Sequence, residues 1–94
     1  MMNNKKAVTN IFATAGDSPG EIDLQWDSIH DATGYAVQAG KKYNSIRWKL
    51  LDIVFESKYT VNGLKPQTDY CFRVAVLNKK RQNSWSGYVI KKSP

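Results

Sequence analysis

One cysteine, Cys71, and one histidine, His30, are all that this 94-residue chain has of the two side chains that most often bind metals or act as nucleophiles. A lone cysteine excludes a disulfide within the chain. A structural zinc site draws on about four Cys or His ligands, more than are present, so no metal or other cofactor is expected. No apolar run approaches the ~20 residues needed to cross a bilayer as a helix, so no membrane span is expected. A glycine-rich phosphate loop is also missing. Met1 to Lys6 are polar and charged, without the apolar stretch and cleavage pattern of a secretory signal, and read as a disordered tail. Catalysis has little to work with. His30 sits alone in a loop with Asp and Thr and reads as solvated, while Asp23, Asp27 and Asp31 fall on an exposed face with no evident pocket. The chain is not expected to be an enzyme.

What is there is alternation. Tyr70, Phe72, Val74 and Val76 recur at a strict period of two, and Tyr59, Val61 and Leu64 precede them. That period marks strands buried on one face. Asn62-Gly63 and Pro66 punctuate the interval between the two runs. Two strands meeting at such a corner fit a chain that crosses between stacked sheets. Glu21 to Asp27 alternates as cleanly, with Ile22, Leu24 and Trp26 on one side and Glu21, Asp23, Gln25 and Asp27 on the other.

The segment Leu64-Lys65-Pro66-Gln67-Thr68-Asp69-Tyr70 resembles the corner of fibronectin type III domains, and Arg73-Val74 and Asn78 follow it as in that family. Trp26 matches the family's core tryptophan, Gly34-Tyr35-x-Val37 its third strand and Trp48 the tryptophan of its fourth. Ser84-Trp85-Ser86 resembles the lead into its last strand. The resemblance spans roughly Ala7 to Lys92, and 7–92 is expected to form a single domain. It implies an all-β, seven-stranded immunoglobulin-like sandwich. The first, second and fifth strands would form one sheet, and the third, fourth, sixth and seventh the other. The expected structural core comprises Trp26, Tyr35, Leu64, Pro66, Tyr70 and Phe72. A tyrosine in the Tyr70 position can bury its ring while its hydroxyl bonds backbone upstream.

Strands are expected at 7–15, with Val8, Ile11 and Ala13 inward, then at 21–27, 34–40, 47–52, 58–62, 69–77 and 85–92. The last strand's register is ambiguous because Tyr88, Val89 and Ile90 are all bulky. Cys71, between Tyr70 and Phe72, is expected to point away from the core. It is either a small residue on a sheet's outer face or a thiol able to cross-link two copies on oxidation. Ile53-Val54-Phe55 reads as a partly exposed connection, and so as a surface for weak self-association or an aggregation liability. The competing reading folds Phe55 over the bottom of the core.

Charge is unevenly placed. Ala7 to Gly40 holds five acids and no lysine or arginine, whereas Lys41 to Pro94 holds twelve basic residues and three acids, within a net charge of +6. On the expected sandwich the smaller sheet is acidic and the larger basic. Lys41, Lys42, Arg47, Lys49, Arg73, Lys79, Lys80 and Arg81 are the candidate binding residues. The family resemblance implies a non-catalytic interaction or spacer module, in contact with a protein partner or a neighbouring domain of a larger modular bacterial or cell-surface protein. The alternative is a binder of acidic polymer, an anionic polysaccharide or nucleic acid, through the basic sheet and the Lys79–Arg81 loop. The candidate stacking rings Phe12, Tyr43, Trp85 and Tyr88 read as scattered, which argues against nucleic acid. The resemblance also favours an extracellular or cell-surface location.

Overall fold

The computed structural model describes residues 7–41, 45–78 and 84–94. The expected tail at 1–6, together with Lys42, Tyr43, Lys79, Lys80 and Arg81, lies outside the described residues. Seven strands follow in order: β1 (Phe12–Ala15), β2 (Ile22–Gln25), β3 (Gly34–Lys41), β4 (Lys49–Val54), β5 (Lys58–Val61), β6 (Asp69–Leu77) and β7 (Val89–Lys92). They form two antiparallel sheets, β1-β2-β5 and β4-β3-β6-β7, as the expected sandwich requires.

The alternating rows supply the core. Ile22, Leu24 and Trp26 from the smaller sheet meet Tyr35, Val37, Ala39, Tyr70, Phe72, Val74 and Val76 from the larger. Val8 is buried, and Ile11 and Ala13 pack against this cluster from outside it. Trp26 and Tyr35 pack edge to face with ring centres 5.4 Å apart, an arrangement aromatic pairs prefer. The Tyr35 hydroxyl accepts the Ile29 N–H (2.8 Å) and so ties the preceding loop to the core.

The corner forms as the sequence implies. The Lys65 N–H donates to the Tyr70 hydroxyl at 2.9 Å, while the Tyr70 ring stays buried. Leu64 is half-buried against the core, but Pro66 is exposed. Pro66 therefore acts on the backbone of the turn and is not a core residue, contrary to expectation. Gly20 makes the corner possible from the other side. Its φ of +76° is a left-handed conformation, and an added Cβ would lie 2.5 Å from the Leu64 carbonyl oxygen. At that close approach the Leu64 N–H donates to Gly20 O (3.0 Å) and the Gly20 N–H to Pro94 O (2.8 Å). Ser93, fully buried, donates its hydroxyl to Lys65 O, so the C-terminal residues lock the same corner.

Three expectations are corrected. Ile53 and Val54 belong to β4, which begins after Trp48 and does not end at Asp52. Phe55 does not fold over the core; it is 80% exposed. The last strand starts at Val89 and not at Trp85, which makes an isolated bridge to Ala75. Ser86 explains the interruption. Its N–H donates to Val74 O (2.8 Å) and its hydroxyl accepts the Val74 N–H (2.9 Å), so one buried residue takes over the pairing that a continuous strand would have provided. The register of β7 is thereby settled, with Val89 opposite Phe72, Ile90 opposite Cys71 and Lys92 opposite Asp69.

Replacing Tyr70 with Phe should destabilise the domain by about 1–3 kcal/mol, because the Lys65 N–H loses its acceptor in a half-buried setting. Pro66→Ala should cost only about 0.4–1 kcal/mol, through the unfolded chain. Urea denaturation midpoints of the two variants check the order, and equal midpoints would show that the hydroxyl does not tie the corner.

Candidate functional site: the outer face of the larger sheet

β6 is buried along both of its faces. Its inward row makes the core, and its outward row is Cys71, Arg73 and Ala75. Directly opposed residues of an antiparallel pair share a face. The same outer face therefore carries Ala36, Gln38 and Gly40 from β3, which oppose Ala75, Arg73 and Cys71. Ile53 and Leu50 of β4 lie opposite Ala36 and Gln38, and Ile90 of β7 lies opposite Cys71. Small residues floor the sheet, and large ones from its margins lie over them.

At the centre, the Arg73 guanidinium is 4.2 Å from the Trp48 ring centre and 4.5 Å from that of Trp85. A cation held over an indole face is attracted by the ring's quadrupole, and arginine suits this better than lysine because its planar group also stacks. The Arg73 Nε–H donates to Gln38 Oε1 at 2.8 Å, fixing the plane of the fork. Tyr88 adds a third ring, centred 5.9 Å from Trp48. Burial lowers the Arg73 pKa from its ordinary value, yet the group keeps its charge at physiological pH.

This layer changes the meaning of several expected features. Arg73 is half-buried between two rings and is not a freely presented charge. Cys71 does point away from the core, but it is fully buried between Gly40 and Ile90. A thiol in that position is not available to cross-link two copies. Trp85 and Tyr88 are not scattered; Trp85 shares the Arg73 cation with Trp48, and Tyr88 packs against Trp48. Phe12 stands apart, exposed on β1 opposite Gln25 of the smaller sheet. Sequence reasoning missed the convergence because Trp48, Arg73, Trp85 and Tyr88 come from three separate stretches. The available signal was Arg73 in the outward register of a central strand, where a bare charge would be unusual.

The described basic candidates do not gather on this face. Lys49 opposes Ala39 and Lys41 opposes Tyr70, which places both in the inward register at the sheet's margins, where they are exposed. Arg47 is exposed ahead of β4. On the outer face Lys92 stands across from Asp69, a charge of the opposite sign. The smaller sheet's outer side carries Asp23, which accepts the Thr60 hydroxyl (2.8 Å), and an open depression of about 450 Å³ bordered by Asp23, Glu56 and Lys58. Lys58 and Glu56 are 3.7 Å apart and both well exposed, a pairing worth about 0–1 kcal/mol. His30 is exposed, as expected. Among the described residues no group of three or more His, Cys, Asp or Glu could hold a metal ion, and no helix is long and apolar enough to cross a membrane.

The topology and the tyrosine-anchored corner define an immunoglobulin-like β-sandwich. The fibronectin type III family model matches residues 6–92, and the chain belongs to that family. Solved structures share the fold. A Fn3-like protein from Clostridium thermocellum superposes with a TM-score of 0.79 at 20% identity, over 93% of this chain and 91% of that one. The FN5 domain of Drosophila Lar gives 0.74 at 26%, over 94% and 95%. The sixth fibronectin type III domain from human fibronectin type III domain containing protein 3 gives 0.78 at 22%, over 95% and 85%. A search of curated protein sequences gave no match. Domains of this family are commonly modules of larger proteins that mediate interactions.

Arg73→Ala should cost about 1–3 kcal/mol by removing two cation–ring contacts and the bond to Gln38. It should also open Trp48 and Trp85 to iodide quenching while Trp26 stays protected. Unchanged quenching would show that the rings hold their places without the cation.

Proposed function

We propose that this domain is a non-catalytic protein-contact module that docks through the outer face of its four-stranded sheet. One observation supports the reading above others. Of the seven large hydrophobic side chains that are exposed among the described residues, six (Leu50, Ile53, Phe55, Trp85, Tyr88 and Ile90) belong to this face or its rim. Monomeric proteins seldom expose contiguous apolar area on that scale without a use for it. Aromatic residues and arginine are also the types that dominate binding energy at protein interfaces. Arg73, clamped before any partner arrives, holds Trp48 and Trp85 in place, and Tyr88 packs on Trp48, so little conformational freedom is lost on docking. The partner is a protein, or a neighbouring domain of the same chain, presenting an apolar surface.

A photo-crosslinking residue at Leu50 or Ile90, in cells that make the protein, should give protein adducts. The same residue at Thr14, on the outer side of the smaller sheet, should not. Equal yields from all three positions would remove the outer face from consideration. Heparin retention beyond physiological salt, lost on charge reversal at Lys41 and Arg47, would move the assignment to an acidic polymer.

A further inference from the structure

β4 carries a feature that the docking face alone does not use. It is a free edge of its sheet, and its outward row continues past both ends of the strand. Leu50 and Ile53 are about half exposed. Trp48 lies on the same face, stacked on Arg73. Phe55 does too, with its ring 3.5 Å from where a Cβ on Gly34 would sit. The edge is therefore lined by four large apolar side chains on one face. Arg47 and Lys49 against Asp52 and Glu56 make the segment 47–56 electrically neutral inside a chain of net charge +6.

We infer that β4 pairs antiparallel with β4 of a second copy, joining two four-stranded sheets into one. The register that satisfies both copies sets Leu50 opposite Ile53 and Trp48 opposite Phe55 of the other chain. The same register sets Arg47 opposite Glu56, and every pair occurs twice about the two-fold axis. A two-fold axis perpendicular to a sheet keeps each side chain on its own face. An uninterrupted strand would then be unable to place residue 50 opposite residue 53, since they point to opposite sides. The bulge removes that obstacle. Asp52 opposes Val37 and Leu50 opposes Gln38, which leaves Leu51 as an extra residue on β4. Leu51 packs on the core, and Asp52 lies close enough to inward-facing Tyr59 to raise that phenol's pKa, after the larger effect of burial. Both residues thus belong to the inward side, and the outward row runs 48, 50, 53, 55 without a break in phase.

The occupant follows from charge as well as shape. Two copies of a +6 chain repel over most approaches, but along this edge Arg47 meets Glu56 twice, while Lys49 falls opposite Val54 and adds no like-charge contact. The edges at β7 and β5 are defended. β7 ends in Lys91-Lys92 and β5 begins at Lys58, the charged residues that discourage strand addition. The pairing is weak, because the bulge sits on the axis and the Ile53 N–H already donates to Asp52 Oδ1 (2.8 Å).

The inference shares Leu50, Ile53 and Phe55 with the proposed docking face, and the two fail separately. Adducts with other proteins report on the face, and self-association reports on the edge. Sedimentation equilibrium on the intact chain, up to about 1 mM, measures the second. The chain should approach twice its monomer mass, and Ile53→Lys should hold it monomeric. Arg47→Glu and Glu56→Arg, each placing like charges opposite one another twice, should each weaken the dimer about tenfold. The double variant Arg47→Glu/Glu56→Arg should recover the original affinity. These positions are exposed, and circular dichroism melts confirm that the variants remain folded. A monomer at the highest concentration overturns the inference. So does a dimer that survives Ile53→Lys, or single charge reversals that the double variant does not rescue.

Discussion

The constraint on which the structure depends is the two-residue period of β6, which must satisfy two layers at once. Its odd and even side chains leave on opposite faces, and both faces are covered. Tyr70, Phe72, Val74 and Val76 close the core against the smaller sheet. Cys71, Arg73 and Ala75 form the floor of a second, thinner layer made from Trp48, Trp85 and Tyr88. A slip of one residue would drive Arg73 into the core and expose Phe72. The register is therefore doubly specified, by burial on one side and by a stacked cation on the other. The buried Ser86, which holds both backbone groups of Val74, is the cost of fitting Trp85 over Arg73 while the last strand still reaches Val89.

How much of this could be read in the sequence depended on whether the signal was local. The core rows of β2, β3 and β6 were legible because each is contiguous and strictly alternating. The Tyr70 corner was legible because its parts lie within seven residues. β4 was harder. Its bulge breaks the alternation at Leu51-Asp52, so Ile53 and Val54 looked like a connection when they are ladder residues. Pro66 reads as a core residue because it travels with core residues in the motif, although a proline can restrain a turn from an exposed position. The outer layer was not legible, since its members are far apart in the chain and its central residue, Arg73, has the appearance of a surface charge.

Charge counts mislead here for a related reason. The excess of basic residues after Gly40 is real, but among the described residues the sheet register distributes it over both faces and the margins. Lys41 and Lys49 fall in the inward register, Lys92 opposes Asp69 and Arg73 is spent on two rings. What is left among the described residues of the larger sheet's outer side is mostly apolar and aromatic, with Arg73 immobilised and Lys92 facing Asp69. The proposed docking with a protein rests on that surface, since binding a phosphate or sulfate polymer needs several unshielded cations in line.

The four edge strands differ in a way that bears on assembly. β1, β5 and β7 are four residues long, and β4 is six. Short edges and terminal lysines are common devices against uncontrolled strand addition, and the sandwich applies them at β5 and β7. β4 has the opposite character: longer, electrically neutral and flanked by Trp48 and Phe55. A bulge usually twists an edge away from partners. At Leu51-Asp52 it instead keeps four outward apolar residues in phase on both sides of a point about which the segment is self-complementary. Selection against strand addition would have placed a lysine in the outward row at 50 or 53, where it would cost the core nothing. The lysine of this strand stands at 49, in the inward register, where it leaves the outward row intact.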